Sequence, residues 1–121
     1  MKTDIIKRRP VADVLSRRRS ILERRKRLAD RVVKKLAGIL SGKYSAKRVV
    51  LVGSCAHPER FGFHSDIDLA VQGIPDARFF SAAGDLMLAS GVFNVDLIPI
   101  EDAEGRMLET ISRGKVLYEE R

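Results

Sequence analysis

Two aspartates, one residue apart inside an apolar run, are the residues of this chain best suited to chemistry. Asp66 and Asp68 belong to the sequence DIDLAV at residues 66–71. Because side chains in a strand alternate between faces, the two carboxylates share one face, while Ile67 and Leu69 point to the core. Two like charges held roughly 6.5–7 Å apart at their Cα atoms repel each other unless a cation lies between them. The pattern indicates divalent metal and phosphate chemistry.

A third acid lies in a later apolar run. Asp96 stands between Val95 and Leu97, where strand propensity disfavours a carboxylate. Oxygen ligands suit Mg²⁺, and two such ions roughly 3.5–4 Å apart clamp the attacking and leaving oxygens of a phosphoryl displacement. We expect Asp66 and Asp68 to bind nucleotide phosphates through metal. Asp96 would complete the second metal site and accept the proton of the attacking hydroxyl. The alternative is a set of unrelated structural acids.

A Gly53-Ser54 pair closes the apolar run that precedes these acids. A strand that ends in Gly-Ser exposes backbone N–H groups and a hydroxyl, which can hold a phosphate. A lone Gly-Ser is weak as a signal, because the pair occurs in turns everywhere. Its position before the Asp-Ile-Asp run, with 11 residues between the two motifs, makes it specific.

The rest of the sequence predicts the elements that position these residues. We expect an α/β sandwich in the order helix, strand, strand, helix, strand, helix. The predicted elements are a helix from Val11 to about Leu40, strands at 47–53, 66–72 and 93–99, a loop at 55–65, helices from Asp76 to about Ala89 and from about Glu101 to Arg113, and a short extended tail at 115–118. The inward residues of the last two helices would be Phe79, Phe80, Ala83, Leu86 and Met87, and Met107, Leu108 and Ile111.

Charge divides the chain into a basic front and an acidic back. Residues 1–48 hold 17 Lys/Arg against four acids, and residues 49–121 hold 6 against 12. The clusters Arg17–Arg19 and Arg24–Arg27 point all around the first helix, so we expect this half to project from the core or to form a separate helix broken near Ser16–Ser20. Candidate anionic partners are RNA phosphates and the acidic face of another subunit. The alternative is a helix face that is solvated and binds no partner.

Composition narrows the class of protein. A chain of 121 residues predicts one domain, with a basic helical extension and first core helix at 1–40 and a catalytic core at 45–121. No apolar run approaches a membrane span, so no membrane partner is expected. The one cysteine, Cys55, excludes an internal disulfide and favours a cytoplasmic location.

These motifs resemble the polymerase-beta-like nucleotidyltransferase superfamily. Gly53-Ser54 followed by Ser65-Asp66-Ile67-Asp68 is similar to the signature of its minimal stand-alone members, which are often paired with HEPN-type proteins as antitoxins. The resemblance covers roughly residues 36–120 and implies a small mixed sheet flanked by helices, two Mg²⁺ ions, and ATP or another NTP as substrate. It also implies Asp66, Asp68 and Asp96 as metal ligands and catalytic carboxylates, with Gly53, Ser54 and Ser65 binding nucleotide.

One departure from the family pattern concerns the loop after Gly-Ser. Minimal members usually carry an arginine there, whereas this chain has Cys55-Ala56-His57-Pro58. Arg60 on the same loop is the candidate substitute.

The resemblance implies a function, with two alternatives. The first hypothesis is transfer of AMP from ATP to a hydroxyl of a protein or small molecule, in the manner of a toxin-neutralising antitoxin, with a HEPN-like partner or a homo-oligomer. One alternative is a non-catalytic or weakly catalytic module that binds a protein or RNA through the basic helix. Another is nucleotide addition to RNA, with that helix as the clamp.

Overall fold

A computed structural model describes residues 10–121, so the segment before Pro10, which belongs to the predicted basic extension, lies outside the described residues. The helices are α1 (Val11–Gly42), α2 (Asp76–Ala89) and α3 (Arg106–Ser112). The strands are β1 (Arg48–Val52), β2 (Ile67–Gln72), β3 (Val95–Pro99) and β4 (Lys115–Glu119). The predicted mixed sheet flanked by helices is confirmed, and the predicted tail is a fourth strand.

The four strands form one sheet in the order β3-β2-β1-β4. β1 runs antiparallel to both β2 and β4, and β2 runs parallel to β3. The C-terminal end of β1 therefore meets the N-terminal ends of β2 and β3 at one edge. The candidate site residues lie at that edge.

The two faces of the sheet are covered by different helices. The main core packs α1 and α2 against one face, where Val49, Leu51, Ile67 and Leu69 are buried. A smaller core on the other face joins Val50, Val52 and Ala70 to Ile111 of α3. Alternation along β2 therefore places Asp68, two residues from Ala70, on the α3 face.

Helix α1 is continuous, so the predicted break near Ser16–Ser20 is wrong. Its first half is exposed through residue 21, as the projecting alternative required, while Ala29, Val33 and Leu36 pack into the core. In the described part of the chain, no helix is long and apolar enough to cross a membrane.

Three residues predicted to point inward are exposed instead. In α2, the buried stripe runs through Ala82 and Leu86. Phe80 and Met87 lie beside this stripe and are 88% and 69% exposed. In α3, Leu108 is half exposed for the same reason, next to the stripe of Met107 and Ile111. α3 also begins at Arg106 rather than near Glu101, since a short 3₁₀ turn at Ile100–Asp102 precedes it.

Candidate active site

Asp68 and Asp96 are register partners on the parallel strands β2 and β3. Paired residues on adjacent strands lie about 4.8 Å apart along the hydrogen-bonding direction and present their side chains to the same face. Asp68 is partly buried and Asp96 is exposed. The two carboxylates therefore stand side by side at the α3 face, open to solvent on the β3 side.

Asp66 extends this set from the residue just before β2. Its Oδ1 accepts a hydrogen bond of 3.5 Å from Asn94 Nδ2, and Asn94 closely precedes β3. The backbone makes the same connection, because Ile67 N donates to Asn94 O at 2.9 Å. Asp66 thus lies where β2 and β3 both begin, beside Asp68 and Asp96.

The electrostatics of Asp68 reflect this crowding. Burial raises the pKa of the Asp68 carboxyl above its usual value, and the nearby charges of Asp96 and Asp66 raise the pKa further. Among residues 10–121, none of the three carboxylates forms an ion pair with a basic side chain. Within the described part of the chain, this negative charge therefore has no cationic side chain paired with it.

The carboxylates do not form a complete metal cage by themselves. Within the described residues, no group of three His, Cys, Asp or Glu side chains is arranged to hold a metal ion. Mg²⁺ is usually held by one or two carboxylates together with substrate phosphates and waters, so a site completed by substrate suits this ion. The uncompensated charge and the oxygen donors of Asp66, Asp68 and Asp96 fit that chemistry.

The turn after β1 presses directly against Asp68. Gly53 has φ +74°, and a Cβ at this position would lie 2.7 Å from Asp68 Oδ2. The chain then continues as a 3₁₀ turn over Gly53–Ala56. Only glycine allows this backbone both its left-handed conformation and its approach to the carboxylate.

Two serines join this turn to the loop before β2. Ser54 Oγ donates to Ser65 Oγ at 2.8 Å, and Gly62 N donates to the same Ser65 oxygen at 2.8 Å. Ser65 is buried, whereas Ser54 is partly exposed beside Gly53. The Ser65 hydroxyl therefore holds the loop, and Ser54 is the more exposed of the two serines.

Cys55 is a packing residue of the same turn. Its side chain is buried, its Sγ donates to Asp66 O at 3.2 Å, and burial raises the pKa of the thiol. A neutral thiol with these contacts fastens the turn to the backbone of Asp66.

The second basic cluster, Arg24–Arg27, does not protrude as a whole, because Arg25 and Lys26 contact the site loop. Arg25 donates from Nη2 to Ser65 O at 3.3 Å, and its guanidinium lies 4.5 Å from the centre of the Phe93 ring. Lys26 Nζ pairs with Asp30 at 2.7 Å and donates to Cys55 O at 3.4 Å. These cations of α1 hold the site loop in place. A charge run alone carries no signal for such a role.

A cavity of about 310 Å³ opens beside Gly53. His57 and Arg60 line it from the loop, as do Arg106 and Arg113 from α3 and its C-terminal end, whereas His64 is exposed. Sequence reasoning missed both of these last arginines. Their spacing of seven residues places them on one helix face, but nothing in the sequence fixes which face of the sheet α3 covers.

The chain resembles known proteins in its structure and not detectably in its sequence. No protein-family model matches the chain, and no curated protein sequence matches it. Solved structures do match with a common fold.

Three of these structures are toxin–antitoxin proteins. A toxin–antitoxin complex with AMP-PNP is 21% identical, with a TM-score of 0.60 over 73% of this chain and 74% of the neighbour. The tri-AMPylated HEPN toxin of Shewanella oneidensis in complex with MNT antitoxin gives 22% identity and a TM-score of 0.52, over 78% and 72%. An MntA-HpeT mutant, in which two aspartates two positions apart are replaced with glutamate, gives 20% and 0.58, over 73% and 74%. The chain therefore shares its fold with a chain in each of these toxin–antitoxin structures, in agreement with the predicted mixed sheet flanked by helices.

Proposed function

We propose that the chain is a Mg²⁺-dependent nucleotidyltransferase that transfers AMP from ATP to a hydroxyl group of a protein. The observation that carries this proposal is the pairing of Asp68 with Asp96, with the Gly53 turn pressed against Asp68. A phosphate-binding turn and a group of uncompensated carboxylates at one sheet edge are the two parts that phosphoryl transfer requires.

The residues divide the reaction between them. The acceptor hydroxyl oxygen attacks the α-phosphorus, the bond from that phosphorus to the bridging oxygen breaks, and pyrophosphate leaves. Asp96, on the exposed side of the carboxylate group, takes the hydroxyl proton. Asp66, Asp68 and Asp96, completed by substrate phosphates and waters, would hold Mg²⁺, which would neutralise charge on the phosphate oxygens. The Gly53–Ser54 turn orients the phosphate chain by its N–H groups and hydroxyl.

The solved neighbours support this substrate class. One holds AMP-PNP, another includes a tri-AMPylated toxin, and the mutated aspartates of the third have the spacing of Asp66 and Asp68. We propose a HEPN-type protein as both partner and acceptor. This proposal agrees with the exposure of Asp96, because the carboxylates are open on the β3 side to an acceptor from another protein.

The test is transfer of label from α-labelled ATP to a co-expressed HEPN-type protein in the presence of Mg²⁺. Asp66→Asn, Asp68→Asn and Asp96→Asn should each reduce labelling by at least about a hundredfold, since each removes charge from the reacting centre. Circular dichroism should show that all three variants fold.

The matched control is Asp102→Asn. Asp102 is an exposed acid in the 3₁₀ turn at the opposite end of β3, so its substitution changes net charge equally and should leave labelling unchanged. Labelling by Asp68→Asn at the wild-type level would contradict the proposed function.

A second candidate is a binding module with little or no catalysis. The observation that favours it is the exposed first half of α1, which carries Arg17–Arg19 together with Val14, Leu15 and Ile21 at 42%, 55% and 55% exposure. A helix with both charge and apolar area in solvent suits a macromolecular partner, either the HEPN-type protein or RNA.

Truncation separates the two candidates. Because Leu22, Arg25 and Lys26 contact the core or the site loop, deletion should stop at residue 20. If the chain is a binding module, this deletion abolishes binding of partner or RNA, and calorimetry shows no binding of ATP with Mg²⁺ to the full chain. Tight ATP binding with label transfer favours the enzyme.

A further inference from the structure

Three of the seven residues that line the cavity beside Gly53 are arginines. The cavity has a volume of about 310 Å³ and lies between the loop that follows Gly53 and the outer face of α3. Its lining residues are Gly53, His57, Arg60, Arg106, Glu109, Thr110 and Arg113. The cavity thus shares Gly53 with the carboxylate site and reaches residues of α3, and the three carboxylates are not among its lining residues.

The arginines of this cavity are unbalanced. Arg60, Arg106 and Arg113 face one space, and within residues 10–121 none of the three forms an ion pair. Among the described residues, Glu109 is the one acid that lines the space, so the three arginines leave an excess of positive charge. Like charges that converge without a counter-charge repel one another, so the arrangement favours an anion that fits between them.

Helical spacing explains how α3 and its C-terminal end contribute two of these groups. Arg106, Glu109 and Arg113 follow each other at i, i+3 and i+7, which places them along one helix face. Ile111 lies on the opposite side and anchors the helix to Val50 and Val52 of the sheet. The arginine face is therefore held in position by a buried contact.

We propose that Arg60, Arg106 and Arg113 form a binding site for the terminal phosphates of the nucleotide, and hold the leaving pyrophosphate. The inference rests on the proposed function for the place of the α-phosphate at Asp68. From that place, a triphosphate that passes the Gly53 turn enters the cavity directly, because Gly53 borders both. Guanidinium groups bind phosphate oxygens through paired N–H donors, which suits this role.

This assignment also accounts for the loop departure in the sequence. The family pattern has an aromatic residue or arginine directly after Gly-Ser and an Arg-Gly pair two residues further on, whereas this chain has the buried Cys55 and then His57-Pro58. His57 lines the cavity, and the charge of the missing arginine is supplied by Arg60 and, across the cavity, by α3.

The test measures binding of inorganic tripolyphosphate and of AMP by calorimetry, with and without MgCl₂. The double variant R106Q/R113Q should bind tripolyphosphate at least about tenfold more weakly than wild type, since it loses two charge-assisted hydrogen-bonding groups. Its affinity for AMP should stay unchanged. The control R31Q/K35Q removes equal charge from exposed positions of α1 and should bind both probes as wild type does.

A variant that is expected to strengthen tripolyphosphate binding tests whether misfolding explains the loss in R106Q/R113Q. Glu109→Gln removes the one carboxylate that lines the cavity, so it should strengthen tripolyphosphate binding several-fold. A purely structural role of α3 predicts no such gain. Wild-type affinity for tripolyphosphate in R106Q/R113Q, or no binding of it by the wild type, overturns the proposed site.

The outcome for this site is separate from that for the proposed function. If Asp68→Asn loses label transfer while R106Q/R113Q binds tripolyphosphate normally, only the arginine site is wrong. If Asp68→Asn keeps label transfer while R106Q/R113Q loses tripolyphosphate binding, the arginine site stands and the carboxylate chemistry is wrong.

Discussion

Gly53 and Asp68 lie so close that a single added methyl group would collide with the carboxylate. The Cβ of any other residue at position 53 would come within 2.7 Å of Asp68 Oδ2. The contact joins the turn after β1 to the second residue of β2, and Val52 is the register partner of Asp68. The Gly53 turn and the Asp68 carboxylate are thus built as one unit.

Gly53→Ala should therefore impair both folding and chemistry. The left-handed backbone costs an alanine about 1–2 kcal/mol, and the new Cβ must displace the Asp68 carboxylate. We expect a lower melting temperature and a loss of ATP binding in the presence of Mg²⁺, measured by thermal denaturation and calorimetry.

Gly91→Ala provides the control for backbone strain. Gly91 has φ +64°, and nothing lies within 4 Å of the position that a Cβ would take there. The variant should therefore lose similar stability and keep ATP binding. Equal loss of ATP binding in both variants would show that strain, rather than the contact with Asp68, causes the defect.

Asp68→Asn should stabilise the protein at neutral pH. The pKa of Asp68 is raised in the folded state by burial and by Asp96 and Asp66, so the folded protein binds this proton more tightly than the unfolded chain does. The associated stability is fully present below the usual carboxyl pKa of about 4 and is lost as pH rises through the higher folded value.

The measurement is the difference in melting temperature between wild type and Asp68→Asn as a function of pH. The variant should melt higher at neutral pH, and the difference should shrink as pH falls toward about 4. A variant that melts lower than wild type at neutral pH would contradict the placement of Asp68 in uncompensated negative charge.

Arg25→Ala should loosen the loop before β2. The substitution removes the hydrogen bond to Ser65 O and the contact with the buried Phe93 ring, at a loss of about 1–2 kcal/mol. Hydrogen exchange should become faster at the amide of Ser65, which donates to Gly62 O. Arg24→Ala removes the same charge from an exposed neighbouring position and should change neither quantity.

The two serines should respond in opposite ways to alanine substitution. Ser65→Ala removes the acceptor of two hydrogen bonds in a buried position, so its main effect should be a stability loss of about 1–2 kcal/mol. Ser54→Ala removes one of these bonds at a partly exposed position, so it should weaken ATP binding more than stability. Titration with AMP-PNP and thermal denaturation separate the two effects, and the reverse order would contradict the assignment.

Much of this site could be predicted from local sequence rules. Strand alternation predicts that Asp66 and Asp68 share one face, and the acid inside the third apolar run indicates Asp96 as a third member of the site. The register that pairs Asp96 with Asp68 is seen only in the structure. The contributions of Arg25 and Arg106 depend on how α1 and α3 pack across the sheet, which no local pattern specifies. The same limit explains the wrong prediction for Phe80. Its apolar character predicts burial, but the residue lies beside the buried stripe of α2 and is exposed.

The most direct measurement of the central claim is stoichiometric transfer by the purified chain. On mixing with ATP, Mg²⁺ and a HEPN-type protein, the wild type should add AMP to that protein, seen by intact mass, and release one pyrophosphate for each AMP added. Asp68→Asn should do neither while it remains folded. Equal AMP addition by Asp68→Asn, or binding of the partner by the wild type without any AMP addition, would contradict the account.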